Sequence, residues 1–306
     1  MIETWQQALP HGITLSCRAS GERGRPVLLF LHGFPEAAFA WDTLLEHFAR
    51  PENGGYRCVA PNLRGYEHSS APADVQDYRA KHLLQDIAAL IDTESPNAPL
   101  AALVAHDWGG ALAWAFANQH PKRLQRLVIV NAPHPGTYLR ELQNNPAQRD
   151  ASAYMNFLVR PDAARLLTEN GHARLFGFFE GMGASAAPGT PGAPKGAGWL
   201  TEAVRAQYRA VWALGVQGGL NYYCASPLHP ASAHELQIPP DALRIGMPTL
   251  VLWAQDDIAL LPCLCDGLEA FVPQLKVVPL HQATHWVVHE QPERVISEMA
   301  AFLKAQ

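Results

Sequence analysis

Short, almost unbroken apolar runs alternate with stretches of helical periodicity along most of this chain. The runs in RPVLLFLHG (25–33) and YRCVAPNLRG (56–65) each end at a Gly or Pro turn, the pattern of strands in a sheet covered on both faces. DYRAKHLLQDIAALID then places Leu83, Leu84, Ile87, Leu90 and Ile91 at helical spacing; LAALVA reads as the next strand and RLQRLVIVNA as the one after. This alternation predicts an α/β architecture built on a mostly parallel, doubly wound sheet. From about residue 134 the strand signals stop, and helix-like segments follow. They include EGMGASAAPGTPGAPKGAG (180–198), a Gly, Ala and Pro-rich stretch expected to be a mobile loop. Alternation resumes with the strands TLVLWA and LKVVPL and a last helix in QPERVISEMAAFLKA. That helix has Pro292 in its first turn and an apolar face of Val295, Ile296, Met299 and Phe302. The expected organisation is a core of residues 1–133 and 241–306 bracketing a helical cap of residues 134–240.

The chemistry gathers where predicted strands end, the edge at which open α/β sheets bind ligands. LVAHDWGGALAWAFA (103–117) has the shape of a nucleophile elbow, a strand that reverses sharply into a helix, with Gly109 and Gly110 removing side chains that would collide. Its sharpest point carries Asp107, where serine or cysteine is usual. Asp is also a preferred N-cap, so a capping role alone would account for it in isolation. After VLLFL comes HGFP (32–35), which looks like an oxyanion loop: the backbone N–H of Phe34 would join that of Trp108. A simple tight turn is the plainer reading of any Gly-X-Pro. After LKVVPL comes HQATHWVVHE, where His285 is best placed to serve as base, with His281 and His289 as competitors. After TLVLWA, Asp256 and Asp257 could orient an imidazole, or could simply begin a helix.

Composition narrows the picture by exclusion. The 306 residues carry a formal net charge of −5, without the basic excess that nucleic acid or an anionic membrane surface would attract. The five cysteines, Cys17, Cys58, Cys224, Cys263 and Cys265, are scattered and suggest buried free thiols rather than a metal site or disulfide framework. The amino terminus, MIETWQQALPHG, lacks the basic and apolar regions of a secretion signal, and no apolar run is long enough to cross a membrane, so a cytoplasmic location is expected.

HGFPEAAFAW, PNLRGYEHSSAP, HDWGG, NAPHP, LNYYCASPL, LWAQDDIAL and THWVVHEQPERV, in that order over nearly the whole chain, resemble the epoxide hydrolase branch of the α/β-hydrolase superfamily. The resemblance implies hydrolysis of a small-molecule epoxide to a vicinal diol, with no cofactor and no metal. Asp107 would form a covalent ester, His285 would activate the water that cleaves it, and Phe34 and Trp108 N–H groups would hold the oxyanion. Two cap tyrosines would assist ring opening: Tyr154, from YMNFLVRP, and Tyr223, from LNYYCASPL, where Tyr222 stands in the position of a usual Trp and Cys224 in that of a usual Arg. The family pattern Trp-Gly-x-x-Asp matches WAQDD so that Asp257 takes the acid position, with Asp256 as the fallback. Some relatives carry the acid after the strand that here ends at Asn131. His32, Pro35 and Trp286, beside these motifs, are expected in the substrate pocket, and a homodimer is compatible with the fold. A haloalkane dehalogenase with the same Asp nucleophile is the alternative, and a catalytically silent binding protein on this scaffold a more distant one.

Overall fold

The computed structural model describes residues 1–181 and 196–305; most of the Gly, Ala and Pro-rich stretch at 180–198 therefore lies outside the described residues. Eight strands form one sheet: β1 (Glu3–Ala8), β2 (Thr14–Ser20), β3 (Val27–Leu31), β4 (Arg57–Pro61), β5 (Ala102–His106), β6 (Leu127–Val130), β7 (Thr249–Ala254) and β8 (Leu275–Leu280), in the order β1-β2-β4-β3-β5-β6-β7-β8. The first two pair antiparallel, as β2 does with β4, and from β4 onward every pairing is parallel. Every residue of β3 through β7 is buried, which is why these strands read as continuous apolar runs rather than alternating ones. The apolar face of β2 alternates instead, with Leu15, Cys17 and Ala19 buried between more exposed neighbours.

Helices cover both faces. Among the described residues they are α1 (Asp42–Phe48), α2 (Ala80–Glu94), α3 (Asp107–Gln119), α4 (Pro135–Asn144), α5 (Pro146–Ala151), α6 (Tyr154–Leu158), α7 (Ala163–Gly181), α8 (Glu202–Ala213), α9 (Gln217–Ala225), α10 (Val287–Glu290) and α11 (Pro292–Lys304). One face packs Leu44, Leu45 and Phe48 of α1 and Val295, Met299 and Phe302 of α11 against the sheet. The other packs Leu83, Ile87 and Leu90 of α2 and Trp114 and Phe116 of α3, and continues into the helices inserted between β6 and β7. Within that insert, α7 reverses at Asn170, Gly171 and His172, all in left-handed conformation. The insert is tied to the core by hydrogen bonds from Tyr222 Oη to the Arg64 carbonyl (2.9 Å) and from Trp212 Nε1 to the Pro35 carbonyl (2.8 Å).

All five cysteines are free. Only Cys17 and Cys58 are buried, whereas Cys224 is exposed and Cys263 and Cys265 are half-buried, so the expectation of buried thiols holds for two of them. No described helix is long and apolar enough to cross a membrane.

Candidate active site

The site begins at the junction of β5 and α3. His106 is extended, and the next residue, Asp107, takes φ +49°, so the chain reverses within one residue. A non-glycine residue in this region costs about 1–3 kcal/mol, and the reversal lifts the carboxylate clear of the sheet. Three glycines make room. A Cβ on Gly109 would lie 2.4 Å from the Leu31 carbonyl oxygen, and one on Gly110 would lie 2.2 Å from Ala132 Cβ. On Gly33, across the turn, it would lie 2.2 Å from Asp107 Oδ1 itself. These distances are far inside van der Waals contact.

The expected neighbours converge on this carboxylate. Phe34 N–H donates to Asp107 Oδ1 at 2.7 Å, while Asp107 Oδ2 lies 3.6 Å from His285 Nε2. Trp108 follows in the first helical turn, where backbone N–H groups have no intrahelical acceptor. His285 Nδ1 lies 2.7 Å from Asp257 Oδ2. The structure thus pairs the histidine with Asp257, whereas Asp256 is bonded through its backbone to the Ala283 carbonyl. Neither competing histidine reaches Asp107: His289 Nε2 lies 2.6 Å from Glu36 Oε1, and His281 is exposed.

Asp257 is fully enclosed, and its oxygens are saturated. Oδ1 accepts from Ala259 N and Leu260 N, both at 2.9 Å, and Oδ2 accepts from Asn131 Nδ2 at 2.8 Å as well as facing His285. Burial alone would raise its pKa, but the imidazolium and these donors outweigh burial and hold the carboxyl below its ordinary value. Burial likewise disfavours a charged His285, yet the Asp257 and Asp107 carboxylates on either side push it up to about 10. His285 thus sits between two carboxyl groups, an arrangement that favours its imidazolium over the neutral ring.

Asp107 opens into a cavity of about 240 Å³ whose walls include Trp108, Leu112, Tyr138, Tyr154, Met155, Tyr223, Leu228 and Leu260. Tyr154 stands at the start of α6 and Tyr223 within α9, so the insert brings both phenols to the wall of the cavity that Asp107 faces. Burial, reinforced by neighbouring phenols and the Asp107 charge, raises both hydroxyls well above their ordinary pKa, so each remains a protonated donor. Tyr223 packs edge-on against Trp108 with ring centroids 5.0 Å apart. Tyr222, its neighbour, points instead to the Arg64 carbonyl. Among the described residues lining the cavity, Asp107 carries the sole charged side chain.

Three expected pocket residues sit behind the site rather than in its wall. His32 is fully buried under the oxyanion turn, its Nε2 accepting from Leu63 N at 3.1 Å, and burial lowers its pKa to about 4. Pro35 closes a separate small void beside Gly65 and Tyr66, and Trp286 is buried with its indole N–H donating to the Phe178 carbonyl at 3.3 Å. Their motifs place them next to the catalytic atoms in sequence, but none of the three lines the cavity that Asp107 opens into.

Sequence reasoning also passed over three supporting residues. Asn131, at the position after which some relatives carry the acid, braces Asp257 instead: Oδ1 accepts from Ala254 N at 2.9 Å while Nδ2 donates to Asp257. Glu36 lies buried between His106 Nδ1 (2.9 Å) and His289 Nε2 (2.6 Å). Burial would raise Glu36, but the two histidines hold it well below the ordinary carboxylate range. His106 Nε2 in turn donates to the His285 carbonyl at 2.9 Å, which anchors the backbone of His285.

The comparisons with known proteins agree with this geometry. The family model described as alpha/beta hydrolase fold matches residues 26–292. Epoxide hydrolase 3 of Xenopus tropicalis is 31% identical over 96% of this chain and 75% of its own length. The AB hydrolase superfamily protein YfhM of Bacillus subtilis is 30% identical over 97% of this chain and 96% of its own. The crystal structure of Bacillus megaterium epoxide hydrolase in complex with an inhibitor superposes with a TM-score of 0.87 at 28% identity, covering 98% of this chain and all of that one. The chain belongs to the epoxide hydrolase branch of the α/β-hydrolase superfamily. In this branch of the superfamily the carboxylate at the elbow stops being an anomaly. A carboxylate is a weak nucleophile, but a strained three-membered ring asks only for aligned attack and a partner for the departing oxygen.

Proposed function

We propose that this chain hydrolyses an epoxide to a vicinal diol in two steps through an ester on Asp107, within a core of residues 1–133 and 241–306 capped by residues 134–240. The observation that carries the reading is the meeting, in one cavity, of an elbow carboxylate with two neutral cap phenols. In the first step Asp107 Oδ2 attacks a ring carbon, the ring C–O bond breaks, and Tyr154 and Tyr223 donate to the oxygen as it gains negative charge. The oxygen leaves as a hydroxyl. The proton it takes is replaced on the phenol from the His285 imidazolium.

Ester formation removes the Asp107 charge, one of the two carboxylates that hold His285 protonated. Neutral His285 then takes a proton from water at Nε2, and the water oxygen adds to the ester carbonyl carbon. Negative charge develops on Asp107 Oδ1, the oxygen already held by Phe34 N–H, with Trp108 N–H as second donor. On collapse the bond to the second diol oxygen breaks and that oxygen takes the proton of the added hydroxyl, leaving the Asp107 carboxylate beside the His285 imidazolium that formed when water was deprotonated.

Apart from Asp107, the described cavity walls carry no charge and are mostly apolar, which favours an epoxide bearing a neutral hydrocarbon or aryl group over a charged one. A haloalkane dehalogenase would need N–H donors for a halide; two phenols suit an alkoxide better. Pre-steady-state kinetics on an aryl epoxide test this directly. Each phenol, by analogy with a single oxyanion donor, is worth on the order of 3 kcal/mol, so Tyr154→Phe or Tyr223→Phe should slow ring opening by about a hundredfold and leave ester hydrolysis nearly unchanged. Wild-type turnover of haloalkanes but of no epoxide, or ring opening at wild-type rates in both Phe variants, would refute it.

A further inference from the structure

Asp257 depends on the two peptides whose N–H groups bond its Oδ1, those of Ala259 and Leu260. The same short loop is gripped from the insert. Gln148 on α5, fully buried, donates from Nε2 to the Ala259 carbonyl at 2.8 Å and accepts from Leu261 N at Oε1 at 3.0 Å. The amide thus meets the loop as the backbone of a neighbouring strand would, with one donor and one acceptor. Its other Nε2 proton goes to Ser152 Oγ at 2.9 Å, which also accepts from Tyr138 Oη at 3.1 Å. The Ser152 carbonyl accepts from Met155 N at 3.1 Å, closing the turn on which Tyr154 stands. One side chain therefore reaches the peptides that hold the acid and the turn that carries a phenol.

We propose that Gln148 is a positioning residue that keeps Asp257 and the Tyr154 turn in register, so that both half-reactions depend on it. The inference rests on the two-step reading above. Its physical basis is that the acid loop follows a core strand while Tyr154 belongs to the insert, so separate segments must be aligned at one cavity. Misplacement by about 1 Å costs on the order of a hundredfold in a reaction that needs near-attack geometry. The residue type follows from the same demand: an amide presents donor and acceptor together, an ionised carboxylate cannot donate, and an apolar side chain would leave the Ala259 carbonyl and Leu261 N–H without partners in a buried place.

The test separates alignment from simple bolting of the insert to the core. Alkylation and ester hydrolysis are measured separately on the full chain with styrene oxide, for wild type, Gln148→Leu, Gln148→Asn and Ser152→Ala, alongside thermal melts. Gln148→Leu should slow both steps by on the order of ten- to a hundredfold. Ser152→Ala, which cuts only the link toward the phenols, should slow alkylation and leave hydrolysis nearly unchanged. Gln148→Asn, which withdraws the amide by one methylene and keeps its polarity, should slow both steps to a lesser degree, and it carries the test if the Leu variant does not fold. A lowered melting temperature with both rate constants at wild-type values would overturn the proposal, as would a loss confined to one step in the Gln148 variants. Absence of any alkylation burst in wild type would instead overturn the two-step reading itself.

Discussion

At the scale of single residues, Asp257 is asked to do the most. It orients His285 through Oδ2, stays ionised against burial, and takes three further hydrogen bonds to do so. Replacing it with Asn keeps the shape but presents the wrong partner to the imidazole, and in a comparable triad this costs roughly 10⁴ in rate. Single-turnover decay of the ester should therefore slow by about that factor in Asp257→Asn and change little in Asp256→Asn; equal losses would contradict the pairing seen here. Asp107 and His285 stand out in the sequence because each follows a recognisable strand end in a local motif, whereas the strand end alone leaves Asp256 and Asp257 open and only the family resemblance points to Asp257. Asn131 and Glu36 were not, because their partners lie 126 and 70 residues away in the chain, and nothing local says which buried polar group each one satisfies. The same limit hid Gln148, whose loop partners are more than a hundred residues distant.

At the scale of elements, the elbow and the oxyanion turn work as one unit, since Gly33 leaves the space that the Asp107 side chain fills and Phe34 N–H bonds it. Gly33→Ala is expected to leave the fold intact by circular dichroism while slowing alkylation by more than about a hundredfold, because the new methyl displaces the attacking carboxylate rather than the sheet. Alkylation at a wild-type rate in a folded variant would mean that the turn and the nucleophile are less tightly coupled than the distances imply. The strands β3 to β7 were readable because burial on both faces leaves no polar position within them. The β1–β2 hairpin was missed. Its β1 strand is mostly exposed, and the apolar positions of β2, Leu15, Cys17 and Ala19, are interleaved with Ser16 and Arg18, too short an alternation to stand out. The insert announced itself by the loss of strand pattern at 134, but which of its side chains meet the cavity depends on how its helices pack.

For the whole molecule, the charge arrangement at the site links stability to pH. His285 is raised from an ordinary 6.5 to about 10 in the folded chain, so its imidazolium favours the folded state in full below about pH 6.5 and that contribution is lost as pH rises toward 10. Asp257 and Glu36 are lowered, so their contributions are present above the ordinary carboxylate range and are lost as pH falls through it. Urea titrations across pH should show stability declining between pH 6.5 and 10, with a shallower decline in His285→Gln. An identical alkaline slope in that variant would mean that the imidazolium is not what the two carboxylates hold.

The covalent ester on Asp107 is the claim on which the rest depends. In His285→Gln the elbow, the oxyanion turn and both phenols remain, so ring opening can proceed with solvent in place of His285 returning the phenol proton, while the base for the second step is gone, so the ester should accumulate. Intact mass after addition of an epoxide that wild type turns over should rise by the mass of one epoxide, and peptide mapping should place the addition on Asp107. An unchanged mass in a folded variant that binds the epoxide, or an addition at any other residue, would contradict it.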